Sequence, residues 1–202
     1  MFFTHMHQLP AQLIDVLKIY KPKSTKNTHT NTRIEMSFIK PAAHLFTFSF
    51  LFGGNIFYSY IASPIAFKHL DRENFSKLQN KVFPIFFQIQ SLAPALLFLT
   101  LPSKSILYTK APLISLAVCA ASGLANLVWL LPWTRKVKEQ RKHLAQKYSA
   151  EDQKHLLEIE DAPLRKEFGK SHGLSLLFNL THCVSLTVYG AYLVKLLKFV
   201  PK

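Results

Sequence analysis

Residues 41–67 read PAAHLFTFSFLFGGNIFYSYIASPIAF, twenty-seven residues without one Asp, Glu, Lys or Arg. At 1.5 Å per residue, a helix of that length outreaches the ~30 Å hydrocarbon layer of a bilayer. The segment therefore reads as a tilted or trimmed membrane span, with Pro64 bending or ending it. Three further uncharged runs follow, at about 82–101, 111–133 and 173–194. Four runs of bilayer length are hard to explain as soluble helices, because each would have to be buried on all sides. The expected fold is all-α: an integral membrane four-helix bundle within residues 41–194.

Charge lies between these runs. A short loop, Lys68–Lys81, carries both signs, and the connection Pro102–Lys110 makes spans two and three antiparallel neighbours. Span two holds Pro84 and Pro94, which are tolerated if neighbouring helices or polar side chains satisfy the freed carbonyls. Span three closes with Trp129, Pro132 and Trp133, an interfacial aromatic signal. Residues 134–172 then hold ten of the 25 basic residues and seven of the 11 acidic ones. They are expected to form a charged extramembrane helical arm between spans three and four. In it Arg135–Tyr148 continues span three, Ser149 with Glu151 and Asp152 starts a helix, and Asp161-Ala-Pro163 starts another. A basic tail covers 195–202.

Residues 1–40 are a basic extension, expected to be disordered, with Lys21–Asn31 rich in Lys, Thr and Asn. Met1–Leu9 is not a signal peptide, since His5, His7 and Gln8 break its apolar content. Leu13, Ile14, Leu17 and Tyr20 have amphipathic helical spacing, and the acid-poor extension also fits a mitochondrial presequence. A disordered tail is the preferred reading, and translation from Met36 is open beside Met1. The expected location is the endoplasmic reticulum or another secretory-pathway membrane, with a mitochondrial membrane as the alternative. Arg33, Lys40, Lys104, Lys110 and the tail lysines lie on one side of the bilayer. The denser Lys68–Lys81, Arg135–Lys147 and Arg165–Lys170 sets lie on the other, which favours a cytosolic arm. The Lys21–Lys26 cluster weakens that balance.

A formal charge of +14 raises nucleic acid or an anionic membrane surface as a partner, but a basic nucleic-acid-binding domain would not carry several uncharged runs of bilayer length. The lipid bilayer is the expected partner, and no nucleic acid is. Cys119 and Cys183 lie inside uncharged runs, where small soft side chains are packing residues; neither a disulfide framework nor a metal site is expected. The sequon Asn74-Phe-Ser76 lies close to two spans, and Asn179-Leu-Thr181 lies within one, so both read as accidental.

Polar residues inside spans are costly and face the bundle interior or an aqueous cavity. In span four His172, Ser175, Asn179 and His182 fall at intervals of three, four and three, on one helical face. Span one offers His44, Thr47, Gly54 and Tyr58, span two Gln88 and Ser91, and span three Ser122, Gly123 and Asn126. Gly53 and Gly54 would admit a close neighbour. His44, Gly54, Tyr58, Gln88, Asn126, His172, Ser175, Asn179 and His182 make up the candidate intramembrane site. It reads either as a polar path for a small solute or as interhelical bonding that fixes register, and the absence of a membrane-embedded carboxylate favours the second. No P-loop, dinucleotide fingerprint, zinc-protease signature or nucleophile–base dyad is present, so no enzyme and no cofactor are expected.

Four segments resemble the transmembrane protein 205-like family. They are His44-Leu45 with Gly53-Gly54, Lys77-Leu-Gln-Asn-Lys-Val-Phe-Pro84, Asn126-Leu-Val-Trp129-Leu-Leu-Pro132, and Phe168-Gly-Lys-Ser-His172-Gly173-Leu-Ser175-Leu-Leu-Phe-Asn179. They occur in order over about residues 42–194. The resemblance implies a four-pass membrane protein of poorly defined biochemistry, loosely associated with transport or export. The basic extension and the shortage of intramembrane cysteine depart from it, which puts thiol-based export in doubt. The leading expectation is a transporter or transport-associated protein for a small solute; the alternative is a structural adaptor whose charged arm binds a protein partner.

Overall fold

A computed structural model describes residues 28–102 and 109–198, all of it helix and short connections. Helix α1 runs Thr28–Ile56, passes through a π-helical turn at Phe57–Ala62 and ends as Ser63–His69. Helix α2 is Arg72–Leu99. Helix α3 runs Lys110–Leu124, through a second π-helical turn at Ala125–Leu130, to Leu131–Lys147. A 3₁₀ turn at Glu151–Gln153 leads into α4, Lys154–Lys198. Internal contacts divide the chain at Ser37, and Phe38–Lys202 is the compact unit holding all four apolar helices. Of the other unit only residues 28–37 are described, as helix; the readings of residues 1–27 and of the tail beyond Lys198 lie outside the described residues.

Each helix is long and apolar enough to cross a membrane. Their surface is turned inside out relative to a soluble bundle. Phe46, Phe50, Leu92, Leu99 and Val128 are at least 66% exposed, while His44, Asn55, Gln90, Asn126 and His182 are at most 2% exposed. Apolar side chains outside and amides inside are stable only where the surroundings are hydrocarbon, because there an unpaired amide is the costly group.

Prolines explain several local features. Pro64 and Pro132 each follow a π-helical turn, and Ser63 and Leu131 donate to the carbonyls of Tyr58 and Asn126, five residues back. The wider turn makes room for a ring that would clash with the carbonyl four residues before it. Pro94 leaves the Gln90 carbonyl without its helical donor. Gly123 of α3 backs directly onto that group: a Cβ built there would meet the Gln90 carbonyl carbon at 2.7 Å and its oxygen at 2.8 Å. Pro84 frees the Asn80 carbonyl, which accepts from Arg135 Nη2 at 2.5 Å. Buried Pro112 sits in the first turn of α3, where its missing N–H is not needed.

Helix α1 begins at Thr28, within the basic extension, and Pro41 lies inside it. Two expectations are corrected. Asp161-Ala-Pro163 does not start a helix: α4 runs through it, because the ring disturbs only the Ile159 carbonyl, on an exposed turn of the arm. Gly53 and Gly54 face outward, with no described atom within 4 Å of the point where a side-chain methyl would stand, and close approach falls to Gly123 and Gly190 instead.

The arm is formed by α3 and α4 continuing past their apolar runs. Its two limbs are cross-braced. Arg141 holds Asp161 through Nε at 2.7 Å and Nη2 at 2.9 Å, and Arg165 reaches the same carboxylate at 3.5 Å. The Arg141 guanidinium holds the Asp161 carboxyl below its usual range. Trp133 Nε1 donates to Glu167 at 2.7 Å, and Tyr148 OH to Glu160 at 2.6 Å.

Candidate functional site

Helix α1 is joined to its neighbours by three groups of polar contacts at successive depths. At the first, His44 Nδ1 lies 3.1 Å from Thr100 Oγ1, and His44 Nε2 lies 2.9 Å from Tyr189 OH. Thr100 donates its own proton to the Leu96 carbonyl at 2.7 Å. Its oxygen can therefore only accept, which puts the imidazole proton on Nδ1 and leaves Nε2 to accept from Tyr189. The string runs one way, from Tyr189 through His44 and Thr100 to a backbone carbonyl.

The central group lies about eleven residues, or ~16 Å, further along α1. Gln90 Nε2 donates to Asn55 Oδ1 at 2.9 Å and to Asn179 Oδ1 at 2.7 Å. Asn179 Nδ2 donates to Ser59 Oγ at 2.8 Å, Ser59 to Asn55 Oδ1 at 3.3 Å, and Asn55 Nδ2 to Cys183 Sγ at 3.1 Å. Three helices thus share one closed ring of hydrogen bonds, through Gln90, Asn55, Ser59 and Asn179. The third group joins Tyr58 OH to Gln79 Oε1, whose Nε2 donates to Ser63 Oγ at 3.0 Å. The Tyr58 ring packs against Phe86, with ring centres 4.8 Å apart.

Helix α3 meets α4 through three further contacts, one of them Cys119 Sγ donating to the His182 carbonyl at 3.6 Å. His182 Nδ1 lies 2.9 Å from the Cys119 carbonyl, and Asn126 Nδ2 donates to the Ser175 carbonyl at 3.4 Å. A carbonyl only accepts, so the His182 proton is on Nδ1. Three buried atoms within the apolar runs have no partner among the described residues: Gln90 Oε1, Asn126 Oδ1 and His182 Nε2. All three are acceptors. Thr134 Oγ1, where the arm begins, is the fourth such atom. The Gln90 amide can be reversed only together with those of Asn55 and Asn179, since alone it would set its oxygen against two others.

The nine sequence candidates are thus divided among several places. His44, Tyr58, Asn126, Asn179 and His182 make interhelical side-chain contacts, and Ser175 contributes its carbonyl. They do not meet at one point. Gln88 is exposed, and Gln90, two residues on, occupies the interior. Gly54 is exposed, and the adjacent Asn55 is buried. His172 is exposed and stacks on Phe168, with ring centres 5.6 Å apart. Sequence reasoning missed Asn55, Ser59, Gln79, Gln90, Thr100 and Tyr189.

Chemically, the interior offers neutral donors and acceptors. Among the described residues no serine or cysteine side chain bonds a histidine ring; Ser91 and Ser115 donate to backbone carbonyls one turn back. No three His, Cys, Asp or Glu side chains among them are grouped to hold a metal ion. Outside the bundle, Asp71 caps α2 by accepting from the Asn74 backbone N–H at 2.9 Å and its side chain at 2.6 Å. The sequon asparagine is thereby engaged in a helix cap, and these bonds hold the Asp71 carboxyl below its usual range.

Residues 46–143 match a family model described as a domain of unknown function (DUF4149). The match covers most of α1, α2 and α3 with the first limb of the arm, and stops before α4. No curated protein matches the chain, and no solved structure does. Four apolar helices and similarity to an uncharacterised domain describe a multi-pass membrane protein.

Proposed function

We propose that this protein is a membrane-embedded adaptor that presents a rigid helical arm to a protein partner. The observation that carries this reading is the exposure of Leu156 and Ile159, 49% and 58%, on the arm. They precede His172 by 16 and 13 residues on the continuous helix α4, which sets them about 20–24 Å beyond the apolar run. At that distance along the helix their exposure is not accounted for by lipid, and an apolar pair on a braced charged scaffold suits a protein contact. The ion pair at Asp161 and the Trp133–Glu167 bond hold the limbs in place, which lowers the ordering cost of binding. The resemblance to the transmembrane protein 205-like family is compatible with this reading and supplies no activity.

The test is recovery of a stoichiometric partner in wild type and in the double variant Leu156→Asp, Ile159→Asp. Both positions are exposed, so membrane insertion and thermal stability should stay unchanged while the partner is lost. Retention of the partner by a correctly inserted double variant would sink the proposal.

A second reading, passage or binding of a small neutral solute, draws on one observation: three buried acceptors lacking donors inside the apolar runs. Direct side-chain bonding across the rest of the seam argues against it. Proteoliposome flux of small neutral solutes, compared between wild type and Asn126→Leu, tests it. Equal flux in both, at the level of empty vesicles, removes it.

A further inference from the structure

We infer that Arg135 and Lys138 form an interfacial site for the phosphate of an anionic phospholipid headgroup. The stacked pair Trp129 and Trp133, with ring centres 6.1 Å apart, ends the apolar part of α3 and sets the depth of the headgroup layer. Arg135 and Lys138 follow within a turn and a half. Both reach across to one residue of α2, Arg135 Nη2 to the Asn80 carbonyl at 2.5 Å and Lys138 Nζ to Asn80 Oδ1 at 2.9 Å. Two cations are thereby fixed side by side on a shared neutral acceptor.

Neither is neutralised. The ion pairs among the described residues take Lys77, Arg141, Lys154 and Arg165, and none takes Arg135 or Lys138. Burial and the charge of Arg135 together hold the Lys138 ammonium below its usual range, with Glu139 giving only a partial offset. An added anion would relieve that repulsion. Arg135 has spent one of five donors and Lys138 one of three, so several N–H groups remain to meet phosphate oxygens. The limb Leu131–Lys147 has six basic residues and one acidic residue, Glu139, while the α4 carboxylates that bond the limb, Glu167 and Asp161, are engaged by Trp133 and Arg141.

The choice between a lipid phosphate and a free one rests on depth. A site beside the aromatic belt is filled from the membrane plane, where anionic headgroups are concentrated and where each basic side chain contributes about 1 kcal/mol of attraction. The Asn80 contact also gives Arg135 a structural duty, since it satisfies the carbonyl freed by Pro84. The test must therefore measure lipid dependence and not stability alone.

Full-length protein in neutral detergent is titrated with phosphatidylglycerol, with phosphatidylcholine, and with inorganic phosphate, and thermal unfolding is followed together with lipid retention in native mass spectrometry. Wild type should be stabilised by, and retain, phosphatidylglycerol alone. Lys138→Gln, whose amide can still donate to Asn80, should bind phosphatidylglycerol about fivefold more weakly, by loss of one interfacial charge. Arg135→Gln, which removes the other charge of the site, should weaken phosphatidylglycerol binding by a similar factor, beyond any fall in its baseline stability. Lys142→Gln and Lys147→Gln, further along the limb, serve as controls and should retain wild-type binding. Equal weakening by the control variants, equal binding of both lipids, or displacement of phosphatidylglycerol by millimolar inorganic phosphate would each overturn the assignment.

Discussion

Helix α1 and the trio α2, α3 and α4 are held in the bundle by different physics. In its most apolar eighteen-residue window α1 has 11% of residues buried, against 28%, 39% and 28% for the others. The trio is joined by steric fit: Gly123 sits against the backbone of Gln90 and Ser91, and Leu97, Leu116, Cys119 and Leu186 close up beneath it. Helix α1 adds Leu51 to that core, flanked by Phe48 and Phe52, and relies on polar contacts at His44, Asn55, Ser59 and Tyr58. In hydrocarbon there is no hydrophobic drive to bring apolar helices together, so fit and hydrogen bonding are the available forces. The trio uses mainly the first, and α1 mainly the second.

That contrast sets a hierarchy of substitutions. Gly123→Val should have the largest effect. Its Cβ would lie 2.7 Å from a backbone carbon that cannot swing aside, so α2 and α3 must separate, at a cost of about 3 kcal/mol or more. Loss of the folded monomer on size-exclusion chromatography reads this out, and a normally folded Gly123→Val would break the close-packing account. Gln90→Leu comes next. It removes the donor shared by Asn55 and Asn179 and should cost about 1–3 kcal/mol in thermal or denaturant unfolding. A smaller effect there than at Tyr189 would move the main latch of α1 to the other depth.

Tyr189→Phe removes only the proton donor to His44 and should cost about 0.6–2 kcal/mol. The expected readout is greater proteolytic or hydrogen-exchange access at the start of α1, with the trio unaffected. Gly54→Ala should be neutral or stabilising by up to about 1 kcal/mol, since its methyl group meets nothing described and alanine favours helix. A destabilised Gly54→Ala would show that the outer face of α1 packs against another molecule. Gly190→Ala is intermediate in kind. Its methyl would meet the tip of the Phe48 ring at 2.7 Å, a flexible side chain able to turn away.

Much of the architecture is legible in the amino-acid order. Long uncharged runs give four helices, and charge density places the arm between the third and fourth. Which residues point inward is less legible. Around an axis with ~100° between residues, Asn55 lies about 20° from His44, whereas Gly54 lies about 80° away. Both nonetheless fall on a face that a coarse helical reading accepts. Gln88 and Gln90 differ by more than half a turn, yet the run around them is apolar on all sides and offers no contrast to fix its phase. The π-helical turns at Phe57–Ala62 and Ala125–Leu130 add a further rotation that a 3.6-residue period does not follow.

By itself, the sequence determined that the chain crosses a bilayer in helices, because a run without charge can satisfy its backbone in lipid only as helix. It also determined that the amides, imidazoles and prolines in those runs would need partners. Tertiary structure decided which partners they found. Gln90 rather than Gln88, Gly123 rather than Gly53 or Gly54, and Arg135 for the carbonyl freed by Pro84 are all outcomes of how four helices rotate against one another. That rotation is fixed by directional hydrogen bonds and close fit between distant segments, which no local pattern of hydropathy encodes.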